Sequence, residues 1–503
     1  MRDSAASLDA PARRRWLGGA LATLFTTPEL LAGPRPADAP RLPPALRELV
    51  AATGLPAASI GLQVQAVDPP APPLASLNAE QPYQLASTTK LVTAMAALDL
   101  LGPRYRWRTY AFLTGPLQPD GKLLGDLLIV GGGNALMGTD DLRAWLARLR
   151  AQGLHEVLGD IVLDRWAFRL RPEDFAGTPT PAADRPHHAW PDALTLDEGR
   201  LRVRVSAGGG GAPQVQLQPP LAELRLQRQL SGGAGDCALW AHWQAPPPHG
   251  VAPPTLTLRG HWSPACGPRE LQLAPLPHDE FTTLAVRALW REVGGRLRGR
   301  VHDKPRPDRN GLMPLDEQGF PRLPWSVHQS EPLPQLLRDI NKTSDNLAAR
   351  NLMLSLARGF PLRSATLADA RERVAGWLQA QGLAPGDIAV DNGSGLSRAE
   401  RGKPRALVQL LRRAWPTERG RALRDSLPVA GVDGTLAHRM TQGRATGRAF
   451  LKTGTLLDTR ALAGYVQAAS GITYAVAALV NHPEAARATP ALDRLIEWVA
   501  ARG

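Results

Sequence analysis

The chain has 503 residues, 43% of them hydrophobic and 21% charged, the balance of a soluble globular protein with room for several domains. Lys and Arg number 59 against 46 Asp and Glu, a net charge of +13. The arginines are scattered, no basic run is interleaved with aromatics, and aromatics make up only 5%, so a nucleic-acid partner is not expected.

At the N-terminus Arg13-Arg14-Arg15-Trp16-Leu17 precedes a short apolar stretch from Leu17 to Phe25. A charged segment before a short apolar one has the layout of a secretory signal, and Arg-Arg-x-Trp-Leu resembles a twin-arginine export motif. Residues 1–33 are therefore expected to be a signal peptide, with cleavage after Ala32 or, less favourably because Pro40 follows, after Ala39. The stretch is short for a bilayer span, and no later segment is long and apolar enough. Export into the periplasm places Cys237 and Cys266, the only cysteines, in an oxidising compartment, where a disulfide and a pair of buried thiols are both open.

After a Pro-rich lead the sequence predicts a helix over Pro44–Ala52 and a half-buried strand over Ser59–Val67. A turn follows at Asp68 to Pro73, then a return strand at Leu74–Leu77. A strongly apolar helix starts near Ala86-Ser87, runs through Leu91 to Leu101 and stops at Gly102-Pro103. The next stretch changes character. Thr109–Thr114, Leu123–Val130 and Asp160–Asp164 read as strands and Thr139–Gln152 as a helix; alternation then dominates at Leu201–Val205, Gln214–Leu217, Leu224–Leu230 and Thr255–Leu258. Residues 107–308 are expected to form a β-rich insertion, bounded by the charged, proline-bearing segment from His302 to Arg309. Gly131-Gly132-Gly133 lacks the Gly-Lys-Ser/Thr ending of a phosphate loop and reads as a turn. His187-His188 lacks a third metal ligand and reads as a solvated loop. Trp145, Trp166, Trp190, Trp240 and Trp243 read as packing residues rather than sugar platforms. Past Pro332 helical periodicity returns through Leu336, Leu337 and Ile340, then Leu347 to Leu356, then Ala365 to Gln381. Strands are predicted at Ala449–Thr455, Ala461–Ala468 and Ile472–Val480, the last two joined at Ser470-Gly471, and a helix over Pro490–Ala501 closes the chain.

Only six of the 59 basic residues are lysines. Lysine, unlike arginine, can shed its proton near neutral pH when buried, so its retention in an Arg-rich chain hints at a chemical need. Two of the six lie in Ser87-Thr88-Thr89-Lys90 and Lys452-Thr453-Gly454, with Ser344-Asp345-Asn346 between them in the chain. Lys342 adjoins the middle triplet and Lys403 follows a Gly-Ser-Gly-Leu-Ser segment. At a helix start Ser87 and Lys90, three apart, share one face, so a neutral amine can take the proton that a serine hydroxyl must lose to become a nucleophile. A strand glycine such as Gly454 lets a ligand backbone lie close to the strand edge. The backbone N–H groups of Ser87 and Thr455 are then placed for an oxyanion hole. Each motif alone recurs by chance, as a helix turn, a cap or a strand; their order and their elements make them a set.

S-x-x-K, S-D-N and K-T-G in that order are the signature of class A β-lactamases and penicillin-binding proteins. Ile340-Asn341-Lys342-x-Ser344-Asp345-Asn346-Leu347, Asp391-Asn392-Gly393-Ser394-Gly395-Leu396-Ser397-Arg398 and the run from Leu427 to Leu436 narrow the resemblance to the D-alanyl-D-alanine carboxypeptidase/endopeptidases, the class C low-molecular-mass penicillin-binding proteins. That resemblance covers nearly all of the mature chain. It implies an α+β fold: a penicillin-binding transpeptidase-like (serine β-lactamase-like) domain of helices around an antiparallel sheet, built from residues 34–106 and 309–503 and interrupted by one or two accessory domains. By similarity Ser87 is the acylated nucleophile, with Lys90, Ser344, Asn346 and Lys452 as its catalytic partners. Thr453, Gly454 and Thr455 would contact substrate; Arg398 and an acidic residue of the insertion, Asp164, would touch its diamino-acid side chain, with a structural salt bridge the equal alternative for each. The sequence departs from the family at Leu85, where a proline is usual, and at Leu457, where a polar side chain is expected.

The function so implied is a serine DD-carboxypeptidase or endopeptidase of peptidoglycan stem peptides, with β-lactams as covalent inhibitors, no metal and no cofactor. Peripheral membrane association and oligomeric state stay open. The rivals are a β-lactamase or esterase of the same fold, and a non-catalytic peptidoglycan-binding or penicillin-sensing protein.

Overall fold

The computed structural model describes residues 42–502 except 69, 177, 179–187, 233–236, 245–252, 305–313 and 315–321. The proposed signal segment, and His187 of the histidine pair, lie outside the described residues. No helix among the described residues is long and apolar enough to cross a membrane.

Five strands form an antiparallel sheet from the two ends of the chain: β1 (Ile60–Ala66), β2 (Ala75–Leu77), β3 (Ala449–Leu456), β4 (Thr459–Gln467) and β5 (Thr473–Asn481), in the order β2-β1-β5-β4-β3. Val64 stands opposite Val476, and Lys452 opposite Ala463, so β3 is an edge strand. The predicted Ser470-Gly471 hairpin joins β4 and β5, with Gly471 at φ +84°, where a glycine is needed. Successive side chains of a strand point to opposite faces. Ala461, Ala463, Tyr465, Ala475, Ala477 and Leu479 accordingly enter one core, and Leu462, Val466, Val476, Ala478 and Val480 the other. Helices Pro44–Ala52 and Thr489–Ala500 supply Leu46, Leu492, Leu495, Ile496 and Val499 to the second face.

On the first face lie helices α1 (Thr89–Leu100), α2 (Leu333–Thr343) and α3 (Asn346–Ser355). α1 is buried all round, from Leu91 and Val92 to Ala97 and Leu98, which is how a helix apolar on every face is stabilised. Helices Leu367–Ala380 and Pro404–Ala414 pack beside it; the first matches the predicted segment, and the second has buried Ala406, Leu407, Leu410 and Leu411 at helical spacing.

The segment between the motifs has a core of its own around Trp145, Leu201, Trp262, Phe281 and Trp290. A mixed five-stranded sheet runs Val301–Asp303, Ile161–Asp164, Leu127–Val130, Arg108–Leu113, Ser326–Gln329. Two three-stranded sheets hold most of the predicted alternating strands: Leu201–Ala207 lies between Pro213–Gln218 and Arg269–Leu273, and Thr255–His261 between Arg225–Ser231 and Leu239–Gln244. The strand expected over Leu123–Val130 is broken into Lys122–Leu123 and Leu127–Val130, because Gly125 lies against Gly115, whose N would be 2.8 Å from a Cβ. Several elements in this segment are absent from the sequence reading: the strands Leu239–Gln244, Arg269–Leu273 and Val301–Asp303 among them, and the helix His278–Glu292, which buries Phe281, Thr282, Ala285, Val286, Leu289 and Trp290. Of the two states open to the cysteines, Cys237 and Cys266 are joined in a disulfide. Trp145 is fully buried, whereas Trp240 is 55% exposed on its strand.

Candidate active site

Ser87 lies in a 3-10 turn, Ala86–Thr88, that feeds directly into α1. Ala86 has φ +46°, a left-handed conformation that costs a residue with a side chain roughly 1–3 kcal/mol and is tolerated where the surroundings hold it. Here the chain is held from two sides. A Cβ on Gly395 would stand 2.1 Å from the Ala86 carbonyl oxygen, and one on Gly454 would stand 3.0 Å from the Leu85 oxygen and 3.1 Å from the Ala86 Cβ. Two glycines thus let a loop and the edge strand β3 press against the turn that presents Ser87. Leu85 itself is fully buried.

One turn after Ser87, at the start of α1, Lys90 is 1% exposed. Its Nζ lies 3.0 Å from Ser87 Oγ, 2.6 Å from Asn346 Oδ1 and 2.6 Å from the Ser394 carbonyl oxygen. Burial pulls the Lys90 amine down to about 7; the carboxylates of Asp345 and Glu400 resist that pull and Arg350 adds to it. Lys452, fully buried on β3, points its Nζ at Ser344 Oγ (2.9 Å) and the Thr453 carbonyl oxygen (3.0 Å). Burial first, and the charge of Lys90 second, hold its amine well below the ordinary lysine range. Two amines that oppose each other's charge flank two serine hydroxyls.

The middle triplet is the corner between α2 and α3. Ser344 ends α2 in the left-handed conformation, φ 62°. Asp345 caps α3, accepting the Ala348 N–H at 2.8 Å, and Asn346 opens that helix. Asp345 is therefore the structural member, and the corner aims Ser344 and Asn346 at the two lysines. Glu198, from the inserted segment, adjoins Asp345; burial and that carboxylate push it up to about 9.

Three parts of the sequence thus form two hydrogen-bonded groups, Lys90 with Ser87 and Asn346, and Lys452 with Ser344 and the Thr453 carbonyl, joined at the Ser344–Asn346 corner. Thr455 follows Gly454 on the exposed end of β3. Arg398 and Asp164 make the salt bridges that the sequence left as the alternative: Arg398 Nη1 with Asp458 at 2.6 Å on the surface, beside the 89% exposed Leu457, and Asp164 with Lys304 at 2.9 Å. Lys342 pairs with Asp433 at 2.5 Å behind the triplet, while Lys403 joins Asp387 at 2.9 Å in an ion-pair cluster with Arg405 and contacts none of the motif side chains.

Several participants went unread in the sequence. Thr435 Oγ1 is 2.8 Å from Thr453 Oγ1. Asp433, which holds Lys342, also accepts the Val429 N–H at 2.9 Å and so shapes the loop that brings Thr435 there. The run from Leu427 to Leu436 signalled this loop without assigning its side chains. Ser394 contributes a carbonyl, which no side-chain pattern announces. Among the described residues no group of three or more His, Cys, Asp or Glu is arranged to hold a metal ion.

Residues 42–501 match the D-Ala-D-Ala carboxypeptidase 3 (S13) family. The chain is 26% identical over 407 residues to the D-alanyl-D-alanine carboxypeptidase DacB of Haemophilus influenzae, covering 79% of this chain and 80% of that one. It is 28% identical over 412 residues to a D-alanyl-D-alanine carboxypeptidase of an Actinomadura species, covering 77% of this chain and 71% of that one. The fold matches the crystal structure of penicillin-binding protein 4 from Haemophilus influenzae with a TM-score of 0.69 at 23% identity, over 90% of this chain and 99% of that one.

Proposed function

The chain belongs to the D-Ala-D-Ala carboxypeptidase 3 (S13) family, and on that premise we propose that it is an exported, periplasmic serine DD-peptidase of peptidoglycan stem peptides, working through an acyl-enzyme on Ser87. The observation that carries this reading is the 3.0 Å approach of a buried amine, held near 7, to the Ser87 hydroxyl. At neutral pH much of Lys90 is uncharged and able to accept a proton.

The proposed reaction uses these side chains in turn. The terminal D-Ala carboxylate docks at Lys452 and Thr453; its negative charge favours a charged Lys452, which in turn favours a neutral Lys90. Ser87 Oγ attacks the carbonyl carbon before the terminal residue and its proton passes to Lys90. The backbone N–H groups of Ser87 and Thr455 face the tetrahedral oxyanion, each such donor being worth about 10²–10³ in rate. The C–N bond breaks, and the leaving amine takes a proton relayed from Lys90 through Ser344. Water, deprotonated by Lys90, then attacks the ester carbonyl; Ser87 Oγ leaves with that proton and the shortened peptide is released. Asn346 holds the Lys90 amine in line throughout.

Cleavage of a peptide cross-link uses the same steps with a longer leaving amine, so endopeptidase activity belongs to the same site. A β-lactam enters as a carbonyl donor whose leaving amine stays tethered, which makes it a covalent inhibitor. Residues 107–308 serve as accessory structure between the two parts of the catalytic domain, and Arg398 and Asp164 are assigned to the distal side chain of the stem peptide. The test is a digest of purified peptidoglycan read by mass spectrometry. Loss of single D-Ala residues, or conversion of cross-linked dimers to monomers, abolished by Ser87→Ala, supports the reading; an unchanged digest with folded wild-type protein refutes it.

A further inference from the structure

Lys90 has a contact that none of the three motifs supplies, the Ser394 carbonyl oxygen at 2.6 Å. What fixes that carbonyl is a buried carboxylate. Glu400 has no exposed surface. Its Oε1 accepts the backbone N–H of Asp391 (3.3 Å), Asn392 (3.0 Å) and Gly393 (2.6 Å), and its Oε2 accepts that of Gly395 (2.6 Å). Successive N–H groups converging on one anion form a nest, which needs left-handed residues to curl the chain. Gly393 and Gly395 supply them, at φ +78° and +94°. The same loop is tied to the helix of Lys90 by Thr93 Oγ1, which donates to the Gly393 carbonyl at 2.8 Å. Its far side is the Gly395 backbone that lies flat against Ala86 and Ser87. One carboxylate thus shapes both the acceptor of the lysine and the wall behind the serine.

We propose that Glu400 is a positioning residue for the Ser87–Lys90 pair: by gathering four backbone N–H groups it holds the Ser394 carbonyl on Lys90 and the Gly395 backbone against the turn that presents Ser87. The proposal rests on the assignment of Ser87 and Lys90 made above and deepens it.

Its charge adds a second consequence. The groups acting on the Lys90 amine are Asp345 before α3 and Glu400, which favour the ammonium, and Arg350 on α3, which opposes it; Lys452 on β3 stands across the site with the same sign as Lys90. Glu400 in turn faces Arg350 and, in its own loop, Asp391, which is paired with Arg371. Burial raises Glu400 to about 6, against the pull of the Gly393 and Gly395 N–H groups, so it is charged at neutral pH. Removing that charge withdraws support from the Lys90 ammonium, which then sheds its proton at lower pH.

The experiment is the rate constant for acylation of Ser87 by a fluorescent penicillin, measured across pH for the wild-type protein, Glu400→Gln and Glu400→Asp. In Glu400→Gln the amide nitrogen meets the Gly395 N–H donor to donor, freeing the wall of the site. The plateau rate is expected to fall about 10-fold to 100-fold, the loss expected of a reacting group displaced by a fraction of an ångström. The rising limb is expected to move to lower pH by about half a unit or more. Glu400→Asp keeps the charge but shortens the reach: its plateau falls while its limb stays in place, and it serves if Glu400→Gln does not fold. A folded Glu400→Gln with the wild-type plateau, or with a lower plateau and an unmoved limb, overturns the proposal, as does Glu400→Asp with the wild-type plateau. Wild-type protein that is never acylated at Ser87 overturns instead the function on which the proposal rests.

Discussion

Replacing Lys90 by Arg asks whether the site needs an amine that can be neutral or merely a positive charge. Lys90 is held at about 7, so at pH 7.5 about three-quarters of it is uncharged. A guanidinium in the same surroundings behaves differently. Arg350, buried close by, is pulled down by burial only to about 10. An arginine at position 90 would therefore stay charged at pH 7.5 and leave almost no competent base. The three acceptors around the Lys90 Nζ, at 3.0, 2.6 and 2.6 Å, fit a compact ammonium and not a planar fork, which adds to the loss. General-base catalysis contributes about 10²–10⁴ in rate, so the expected fall in Ser87 acylation is at least about 10²-fold. The assay is the time course of covalent labelling by a fluorescent penicillin, with circular dichroism to establish that the fold is intact. A folded Lys90→Arg protein that labels within about tenfold of wild type would refute the argument that Lys90 acts as a base.

Acylation of the wild-type protein should rise with pH through about 7 and be lost below it, because the active form of Lys90 is the deprotonated one; a rate that falls across that interval contradicts the assignment. Gly454→Ala places a Cβ 3.0 Å from the Leu85 oxygen and should push β3 off the Ser87 turn, lowering acylation by about 10²-fold in a labelling time course. Trp107→Ala removes a fully buried ring whose Nε1 donates to Ser355 Oγ at 2.9 Å, and should cost about 3–5 kcal/mol in urea unfolding. Arg398→Ala breaks an exposed pair with Asp458 and should change stability by less than about 1 kcal/mol. If Arg398 contacts the distal part of the stem peptide, that variant raises KM for stem peptides and leaves labelling by a small penicillin untouched.

The three motifs were legible because each is local: a serine and a lysine one helical turn apart, a corner between two helices, a strand with a glycine. Their convergence was legible only through the resemblance, since it depends on β3 pairing with β4 at the edge of a sheet made from both chain ends. Strand alternation read well where one face is buried, as at Leu201–Ala207, whose Leu201, Val203 and Val205 point inward. It misled at Leu123–Val130, where Gly125 and Asp126 divide two apolar runs. The helix His278–Glu292 carried its own signals, Pro277 before it and Asp279 and Glu280 in its first turn, but sat among strands that set the expectation. Glu400 could not be read at all. A single acidic residue between Ala399 and Arg401 looks like surface, and its partners are backbone N–H groups that leave no pattern in side chains. For Asp164 and Arg398 the sequence left a salt bridge and a substrate contact both open; it could not name the ion-pair partners, Lys304 and Asp458, because they lie far away in the chain.

The central claim is that Ser87 is the residue acylated. Incubation with a fluorescent penicillin, proteolysis and mass spectrometry of the labelled peptide test it most directly. The account predicts one adduct per chain, on the peptide containing Ser87, absent in a folded Ser87→Ala protein. An adduct on another serine such as Ser344, or labelling that survives Ser87→Ala, would contradict it.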